Sequence, residues 1–375
     1  MNKTKIKNIL ILNLGSSSIK YALFIEGKQV NKGLIERVIN FKKELLNLIK
    51  IINKDFNCKI HAIGHRVVHG GDIKESKKIT AAVVKKLEKI SVLAPLHDIP
   101  EIEGIKTCLE LFKIPQVAIF DTAFHASIPP KAFTYALPKL LCKQNKIRRY
   151  GFHGESHNYV SGVAAKLLKK PISRLKIISC HLGNGSSVCA IKNGKSVDTS
   201  MGFTPLEGLV MGTRSGDLDP AIILFLQDQK NMSSKQINQL LNCQSGLKGI
   251  CGSSDMRDIH TQIKKDSSKS KKSEISDAKL AEEVFCYRVA KYIGSYVATL
   301  NGVDAILFTA GIGEHAWWIR KNILSYFKYL GVDIDINLNK KNNIKISSKK
   351  SKVSVFVIPT NEEKMMYLEV INVLK

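Results

Sequence analysis

Residues 9–24 read ILILNLGSSSIKYALF, and residues 177–191 read IISCHLGNGSSVCAI. Each stretch has an apolar run, a short segment rich in glycine and serine, and a second apolar run, which is the pattern of a strand, a turn and a strand. Glycine and serine have short side chains, so the N–H groups and hydroxyls of such a turn can approach a phosphate closely. A single hairpin of this kind is more often a plain turn than a phosphate site. Two matched copies, far apart in the chain, predict two lobes that each carry one.

Apolar runs alternate with helical patterns along the rest of the chain, which predicts an α/β fold with sheets covered by helices. A long helix is predicted at 277–300, with a buried stripe that includes Leu280 and Val289 and with a stop at Asn301. The segment 264–276 is rich in lysine and serine and has almost nothing to bury. Such a segment cannot offset the entropy of ordering, so a mobile surface loop is expected there.

The length of 375 residues and an apolar content of 44% allow two domains of ordinary size. The first residues are basic, but the apolar run at 9–12 is too short for a signal peptide or a membrane span. We therefore expect a cytoplasmic protein with no membrane partner. No two of the eight cysteines have the two-residue spacing of zinc or redox motifs.

The formal net charge of +26 is compatible with a nucleic-acid-binding protein, because phosphate contacts by lysine and arginine supply most non-specific affinity. The lysines are nevertheless spread over nearly every segment, and no nucleic-acid motif or basic-aromatic array accompanies them. A biased composition explains the charge better, and no nucleic-acid partner is expected. A basic surface would still help to gather anionic substrates.

Several polar residues directly follow apolar runs, at the places where strands of an α/β sheet would end and where ligands bind in such sheets. Asp121, Glu314 and Glu362 are three of them. Each also has an ordinary interpretation, since Asp121 could cap the next segment and Glu362 could be a solvated carboxylate in the first turn of a helix.

Two arginines and a histidine have neighbouring glycines, which leave space for a ligand. Arg66 and Arg214 could otherwise be ordinary ion-pair residues. His153 lies between Phe152 and Gly154, a setting that favours a functional role over that of a packed core histidine.

Together these segments closely resemble the acetate kinase family, which belongs to a superfamily with sugar kinases and actin. The resemblance extends over essentially the whole chain and rests on ordered motifs at residues 13–20, 65–71, 120–125, 150–157, 181–185, 212–217, 255–257, 311–314 and 359–363. It implies two lobes with duplicated ribonuclease-H-like, actin-like ATPase cores and an active-site cleft between the lobes. The implied lobes comprise about residues 1–121 with 364–375, and 122–363. The resemblance also implies a homodimer that phosphorylates acetate reversibly to acetyl phosphate with Mg-ATP.

The implied catalytic residues agree with the chemistry. Acetate is already anionic near neutral pH, so catalysis must come mainly from positioning and charge neutralisation. By resemblance, Arg66 holds the acceptor carboxylate, and Arg214 and His153 stabilise the oxygens of the phosphoryl group in transfer. Asp121 could orient Arg66, support the metal shell or handle a proton, and the sequence does not choose among these roles.

By the same resemblance, a pocket for the methyl group of acetate comprises Val68, Leu96, Phe152 and Pro205. A valine at the first position leaves little space for a longer chain, so acetate is favoured over propionate. The margin is modest, because an apolar pocket discriminates one methylene by about 1–3 kcal/mol. The alternatives are a propionate or butyrate kinase with the same machinery and a non-catalytic actin-like ATP-binding module.

Magnesium and nucleotide ligands are also implied by the resemblance. Asn13 and Glu362 are the expected ligands of Mg²⁺, for which Mn²⁺ could substitute, and oxygen ligands suit both ions. The residues expected to bind ATP are Ser16, Ser18, Lys20, His181, Leu182, Gly183, Asn184, Gly185, Asp255, Met256, Arg257, Gly311, Ile312, Gly313, Glu314 and His315. The chain departs from the family pattern at Asp98-Ile99 and at His315.

Overall fold

The structure, a computed structural model, describes residues 6–15, 17–91, 95–269 and 275–375, without the side chains of 95–98 and 267–269. The chain divides into two compact units. The first comprises Met1–Ala126, Phe152–Ser156 and Asn361–Lys375, and the second comprises Ser127–Gly151 and His157–Thr360. The domain limits predicted from the sequence stay a proposal.

The first unit is built on a sheet of β1 (Asn8–Leu14), β2 (Ser18–Ile25), β3 (Lys28–Glu36), β4 (Ala62–Val67), β5 (Lys77–Lys78) and β6 (Gln116–Phe120). The strands lie in the order β3-β2-β1-β4-β6-β5. Strands β1, β4 and β6 are parallel, whereas β1, β2 and β3 form an antiparallel meander and β5 pairs antiparallel with β6.

The second unit is built on a sheet of β7 (Lys176–Leu182), β8 (Ser186–Lys192), β9 (Lys195–Thr199), β10 (Ala305–Thr309) and β11 (Ser354–Val357), in the order β11-β10-β7-β8-β9. It repeats the plan of the first sheet, because an antiparallel meander is again followed by two parallel strands. The two hairpins predicted from the sequence are β1–β2 and β7–β8. The predicted α/β fold with duplicated cores is therefore confirmed.

Fifteen α-helices are assigned among the described residues: α1 (Phe41–Phe56), α2 (Ala81–Ile90), α3 (Pro95–Leu111), α4 (Pro130–Phe133), α5 (Lys139–Asn145), α6 (Gly154–Leu168), α7 (Ala221–Lys230), α8 (Ser234–Gln239), α9 (Gly246–Cys251), α10 (Met256–Lys269), α11 (Asp277–Leu300), α12 (Ala310–His315), α13 (Trp317–Leu324), α14 (Ile336–Lys340) and α15 (Glu362–Leu374). Short 3₁₀ segments occur at Ala123–Ser127, Ile172–Arg174 and Ser325–Leu330, and a π-helical turn occurs at Leu240–Gln244. In the part of the chain that the structure describes, no helix has both the length and the apolar content needed to cross a bilayer.

Helix α11 has the limits that the sequence predicts, since Ser276 caps its start and Asn301, at φ +53°, closes its end. The prediction for Leu280 is wrong, because its side chain is 43% exposed. Val289 is buried as predicted, and the buried face of α11 also includes Ala281 and Phe285.

The loop predicted at 264–276 is wrong in its first part, because α10 continues to Lys269. The amide of Gln262 donates to Asp266 at 2.6 Å across one helical turn. Such i,i+4 contacts support an exposed helix that has few apolar side chains to bury. Residues 270–274 of the predicted loop lie outside the described residues.

Helix α15 packs on the first sheet and so brings its acidic first turn near the strand ends. Met366 and Val370 lie in one apolar cluster with Ile9, Ile11 and Ile119. Strand β4 has Gly64 at this contact, where a Cβ atom would lie only 2.7 Å from a methyl group of Val370.

Candidate functional site

An arginine and an aspartate meet where two neighbouring parallel strands end. Arg66 lies near the end of β4, and Asp121 directly follows β6. Nε of Arg66 donates to Oδ1 of Asp121 at 2.9 Å, and Nη2 donates to Oδ2 at 2.6 Å. Burial lowers the pKa of Arg66, but the carboxylates of Asp121, Glu362 and Glu101 outweigh burial and raise this pKa well above its ordinary value. The paired geometry fixes the plane of a guanidinium that stays charged, as recognition of a carboxylate requires.

Two of the residues predicted to form the methyl pocket, Val68 and Phe152, are buried in the first unit. Val68 is 8% exposed, and its N–H donates to Oε2 of the buried Glu101 at 2.9 Å. Phe152 belongs to the same unit, is buried, and contacts the ring of His69 edge-on at 5.5 Å. The side chain of Leu96 lies outside the described residues. Reasoning from the sequence missed Glu101, because it is one of three glutamates of α3 and nothing in the local pattern distinguishes it from Glu103 and Glu110.

His153 is held in an uncommon backbone conformation. Its φ is +58°, in the left-handed region that residues other than glycine seldom adopt. The N–H of Gly154 donates to the carbonyl of Asp121 at 3.0 Å, and a Cβ atom on Gly154 would lie 2.2 Å from that oxygen. The turn is therefore tied closely to Asp121, and its strain is of the kind often found at functional sites.

Glu155 is a further buried carboxyl group that the sequence reasoning missed. Among the described residues, its Oε2 has no hydrogen-bond partner. Burial raises its pKa well above the ordinary value, the carboxylates of Glu369, Asp121 and Glu362 raise it further, and Arg66 opposes them. Glu155 lies between His153 and His157 in the motif at 150–157, but the sequence did not show that its side chain is buried.

The predicted metal ligands have the right donor chemistry. Asn13 lies at the end of β1, and Glu362 opens α15. Lys20, paired with Asn13 across the β1–β2 hairpin, forms an ion pair with Glu363 at 2.5 Å. In the described part of the chain, no group of three His, Cys, Asp or Glu residues is arranged to hold a metal. The amide oxygen of Asn13 and a carboxylate oxygen of Glu362 are the kind of ligand that a hard cation takes alongside phosphates and water.

The turn of the first hairpin is closed by a hydrogen bond from the N–H of Gly15 to the carbonyl of Ser18 at 2.9 Å. Ser18 begins β2. Ser16, the other predicted phosphate-binding serine, lies outside the described residues.

A cavity of about 650 Å³ in the second unit gathers half of the residues predicted to bind the nucleotide. Its lining includes Gly183, Asn184, Asp255, Met256, Arg257, Gly311, Ile312 and His315, together with Ser254, Ala316 and Trp318. The carboxylate of Asp255 is held by the guanidinium of Arg257, which lowers the pKa of Asp255 to about 2. The sequence reasoning missed Trp318, which lies four residues beyond the motif at 311–314.

The other nucleotide residues predicted in the second unit are not among those that line the cavity, but they belong to the same turns. His181 and Leu182 end the buried strand β7, and the N–H of Gly183 donates to the carbonyl of Gly185 at 3.1 Å. Gly313 is buried within α12. The Oε1 atom of Glu314 accepts from the backbone N–H groups of Ala310 and Thr360, at 2.9 and 3.1 Å. Glu314 thus fixes the turns that follow β10 and β11.

Arg214 also belongs to the second unit. Its Nη1 donates to the carbonyl of Pro205 at 3.3 Å and lies 3.9 Å from the sulfur of Met211. No carboxylate of a described residue forms an ion pair with it. Burial lowers the pKa of Arg214, as expected for a cation without a counter-ion. A partly buried and uncompensated guanidinium is well suited to an anionic phosphoryl group.

The loop of Arg214 is joined to the β7–β8 turn. The N–H of Gly212 donates to the carbonyl of Asn184 at 3.0 Å. Gly246 has a φ of +65°, and a Cβ atom there would lie 2.6 Å from the carbonyl of Arg214. These contacts give the loop a defined path beside the cavity lining.

Comparisons with known proteins agree with these observations. A model of the acetokinase family matches residues 40–368. The acetate kinase of Carboxydothermus hydrogenoformans is 46% identical over 402 aligned residues, which cover 98% of this chain and 99% of that protein. The crystal structure of Porphyromonas gingivalis acetate kinase matches with a TM-score of 0.91 at 36% identity and covers 98% of this chain and 100% of that one. A propionate kinase from Francisella tularensis matches with a TM-score of 0.89 at 42% identity, over 97% and 98% of the two chains.

Proposed function

This chain belongs to the acetokinase family, and from that premise we propose that it is an acetate kinase, which transfers the γ-phosphoryl group of ATP reversibly to acetate. The products are acetyl phosphate and ADP. The observation that carries the proposal is the fixed guanidinium of Arg66, held by both oxygens of Asp121 and followed in sequence by the wall residue Val68. Such a pair offers a charged and correctly oriented donor to a small carboxylate.

The chemistry requires no strong base. A carboxylate oxygen of acetate forms the new bond to the γ-phosphorus, and the bond from that phosphorus to the bridging oxygen of ADP breaks in line with it. Arg66 holds the attacking carboxylate. We assign Arg214 and His153 to the equatorial oxygens of the phosphoryl group, where charge must be stabilised during transfer.

ATP is the proposed donor, with a divalent metal as its partner and Mg²⁺ as the first candidate. Asn13 and Glu362 would hold this ion, which when bound would neutralise charge on the phosphates. We assign the cavity of the second unit to the nucleotide, because it brings together residues of three separate predicted motifs.

Acetate is favoured over longer acids because, in the methyl pocket that the family resemblance implies, a valine at position 68 leaves little space for a longer chain. Propionate is the second candidate, since the similar protein from Francisella tularensis is described as a propionate kinase. The expected discrimination between these acids is modest, about 1–3 kcal/mol for one methylene group.

The test is ATP-dependent acyl phosphate formation, trapped as the hydroxamate, from acetate, propionate and butyrate with and without Mg²⁺. We expect metal-dependent turnover with the highest kcat/KM for acetate. A higher kcat/KM for propionate would overturn the assignment of the substrate and keep that of the reaction. An absence of turnover with every acid would overturn the proposed function. A cytoplasmic location and a homodimer stay predictions from the sequence.

A further inference from the structure

Three side chains of the second unit form a polar cluster behind the cavity. His260 of α10 and Trp318 of α13 stack, with ring centroids 3.9 Å apart and planes inclined by 16°. Nδ1 of His260 lies 3.5 Å from Oε2 of Glu282 on α11. Glu282 is 3% exposed. The cluster joins three helices that are distant in sequence, so it is a product of the tertiary fold.

Each of these side chains has one buried polar atom without a hydrogen-bond partner among the described residues: Nδ1 of His260, Oε2 of Glu282 and Nε1 of Trp318. Such atoms destabilise a protein interior, because burial removes the water that would otherwise bind them. The other oxygen of Glu282 accepts from Asn322 at 3.2 Å, so the carboxylate is held in place. Two of these atoms, Nδ1 of His260 and Oε2 of Glu282, face each other at 3.5 Å, so the carboxylate lies beside the imidazole edge and limits its rotation.

Trp318 is the member of the cluster that reaches the cavity. It lines the cavity together with the apolar side chains of Met256, Ile312 and Ala316. Its ring is only partly buried, and His260 supports one of its faces. A flat aromatic wall among aliphatic side chains is suited to an aromatic ring, and base–aromatic stacking contributes about 1–3 kcal/mol per base in nucleic-acid-binding proteins.

We propose that Trp318 is the wall against which the purine ring of the nucleotide packs, and that His260, which stacks on Trp318, is a positioning residue that keeps this wall in place. The inference rests on the proposed function, because it assigns one surface of the nucleotide cavity. It identifies the ligand as a purine nucleotide. Because every base has a π face, stacking on Trp318 favours the larger purine over a pyrimidine but does not by itself distinguish adenine from guanine.

The chain supplies a matched control for this proposal. Trp317 precedes Trp318, and its ring has Nζ of Lys340 5.2 Å from its centroid. Its carbonyl accepts from Asn339 at 2.9 Å, a contact that side-chain substitution leaves intact. Trp317 is not among the residues that line the cavity. The same substitution can therefore be made at adjacent tryptophans that differ in the proposed contact.

The first experiment measures ADP binding to the whole protein by equilibrium dialysis, for the unsubstituted chain, Trp318→Leu and Trp317→Leu. We expect Trp318→Leu to raise the Kd for ADP by roughly 5- to 150-fold, the range that corresponds to loss of one stacked base. Trp317→Leu should leave the Kd within about twofold. An unchanged Kd in Trp318→Leu, with ADP bound normally by the unsubstituted chain, would overturn the inference alone. If the unsubstituted chain binds no ADP, both the inference and the proposed function fall.

Fluorescence provides a second readout that does not require the leucine variant to fold. The sequence has two tryptophans, so Trp317→Phe leaves Trp318 as the sole reporter and Trp318→Phe leaves Trp317. We expect saturable quenching by ADP and GDP in Trp317→Phe, with weaker binding of CDP. Quenching that survives equally in Trp318→Phe would contradict the assignment.

The role of His260 is tested by comparing alanine with phenylalanine. His260→Ala removes the supporting ring and should raise KM for ATP several-fold while kcat stays within about twofold. His260→Phe restores a ring that can stack and should restore KM. An equal KM in the alanine variant and the unsubstituted enzyme would contradict the positioning role, as would failure of phenylalanine to rescue.

Discussion

Asp121→Ala tests whether this carboxylate acts through Arg66. The pair has two charge-assisted hydrogen bonds at 2.9 and 2.6 Å, and the two side chains are 20% and 4% exposed. Removal of one partner of a buried ion pair costs about 3–5 kcal/mol, and the partial exposure of Arg66 favours the lower end. We therefore expect the free energy of unfolding to fall by about 3 kcal/mol.

The same substitution should also affect catalysis, because a guanidinium without its partner no longer has a fixed plane. A misplacement of about 1 Å can cost roughly a hundredfold in rate. We expect kcat/KM for acetate to fall by about that factor, with a large share of the loss in KM. The assays are urea unfolding and hydroxamate formation over a range of acetate concentrations.

A double-mutant cycle with Arg66→Ala separates the roles that the sequence leaves open. If Asp121 acts only by holding Arg66, the double variant should have nearly the kcat/KM of Arg66→Ala. Fully additive losses would refute this reasoning and show that Asp121 acts independently, on a metal or a proton. Glu207→Ala is the matched control, because it removes the partner of Arg149 from another pair at 2.6 Å. It should lower stability without a specific increase in KM for acetate.

Three further predictions follow from individual contacts. Arg214→Ala should lower kcat by roughly 10³- to 10⁵-fold in a folded protein, as loss of an arginine finger does, and steady-state kinetics that show a loss below about tenfold would contradict its assignment. Glu101→Gln keeps an oxygen for the N–H of Val68 and should preserve the ratio of acetate to propionate activity. Glu101→Ala removes that oxygen and should lower the free energy of unfolding by about 1–3 kcal/mol and alter the ratio. If the two variants have the same stability in urea and the same activity ratio, Glu101 does not position Val68. Burial lowers the pKa of His65 and His125 to about 4, from about 6.5 in an unfolded chain. Their contribution to stability should therefore be complete above pH 6.5, and the free energy of unfolding should fall by about 3 kcal/mol per histidine as the pH drops to 4. An equal free energy of unfolding in urea at pH 7 and pH 4.5 would refute this prediction.

The sequence predicted the parts of the fold that depend on local pattern. The two hairpins have apolar runs on both sides of a glycine-serine turn, and α11 has its cap and its stop within the segment itself. The exposure of Leu280 was not predictable in this way, because apolar side chains occur on more than one face of α11 and the tertiary structure buries Ala281 and Phe285 rather than Leu280. The extension of α10 likewise depends on polar contacts such as that from Gln262 to Asp266, which an apolar pattern does not reveal.

Some residues of the candidate site could be predicted from sequence motifs, and others could not. Asp121 directly follows β6 and Arg66 lies near the end of β4, which agrees with the rule that ligands bind at the carboxyl ends of strands in α/β sheets. Glu101 lies in a helix that no motif marked, and its role depends on a backbone N–H that only the tertiary structure places beside it. The stack of Trp318 on His260 joins residues 58 positions apart and leaves no local signature.

The charge of the whole chain and the charge around the acceptor residues have opposite signs. The net charge is +26, yet Arg66 interacts electrostatically with three carboxylates, those of Asp121, Glu362 and Glu101. One guanidinium offsets only one of these charges, so an anionic acceptor would meet excess negative charge there. Lysines elsewhere on the surface do not offset this negative charge, because interactions between exposed charges are largely screened beyond about 8 Å in physiological salt. A divalent cation at Asn13 and Glu362, the ligands that the family resemblance implies, would offset this negative charge locally, so the charge balance supports the proposal of a divalent metal there.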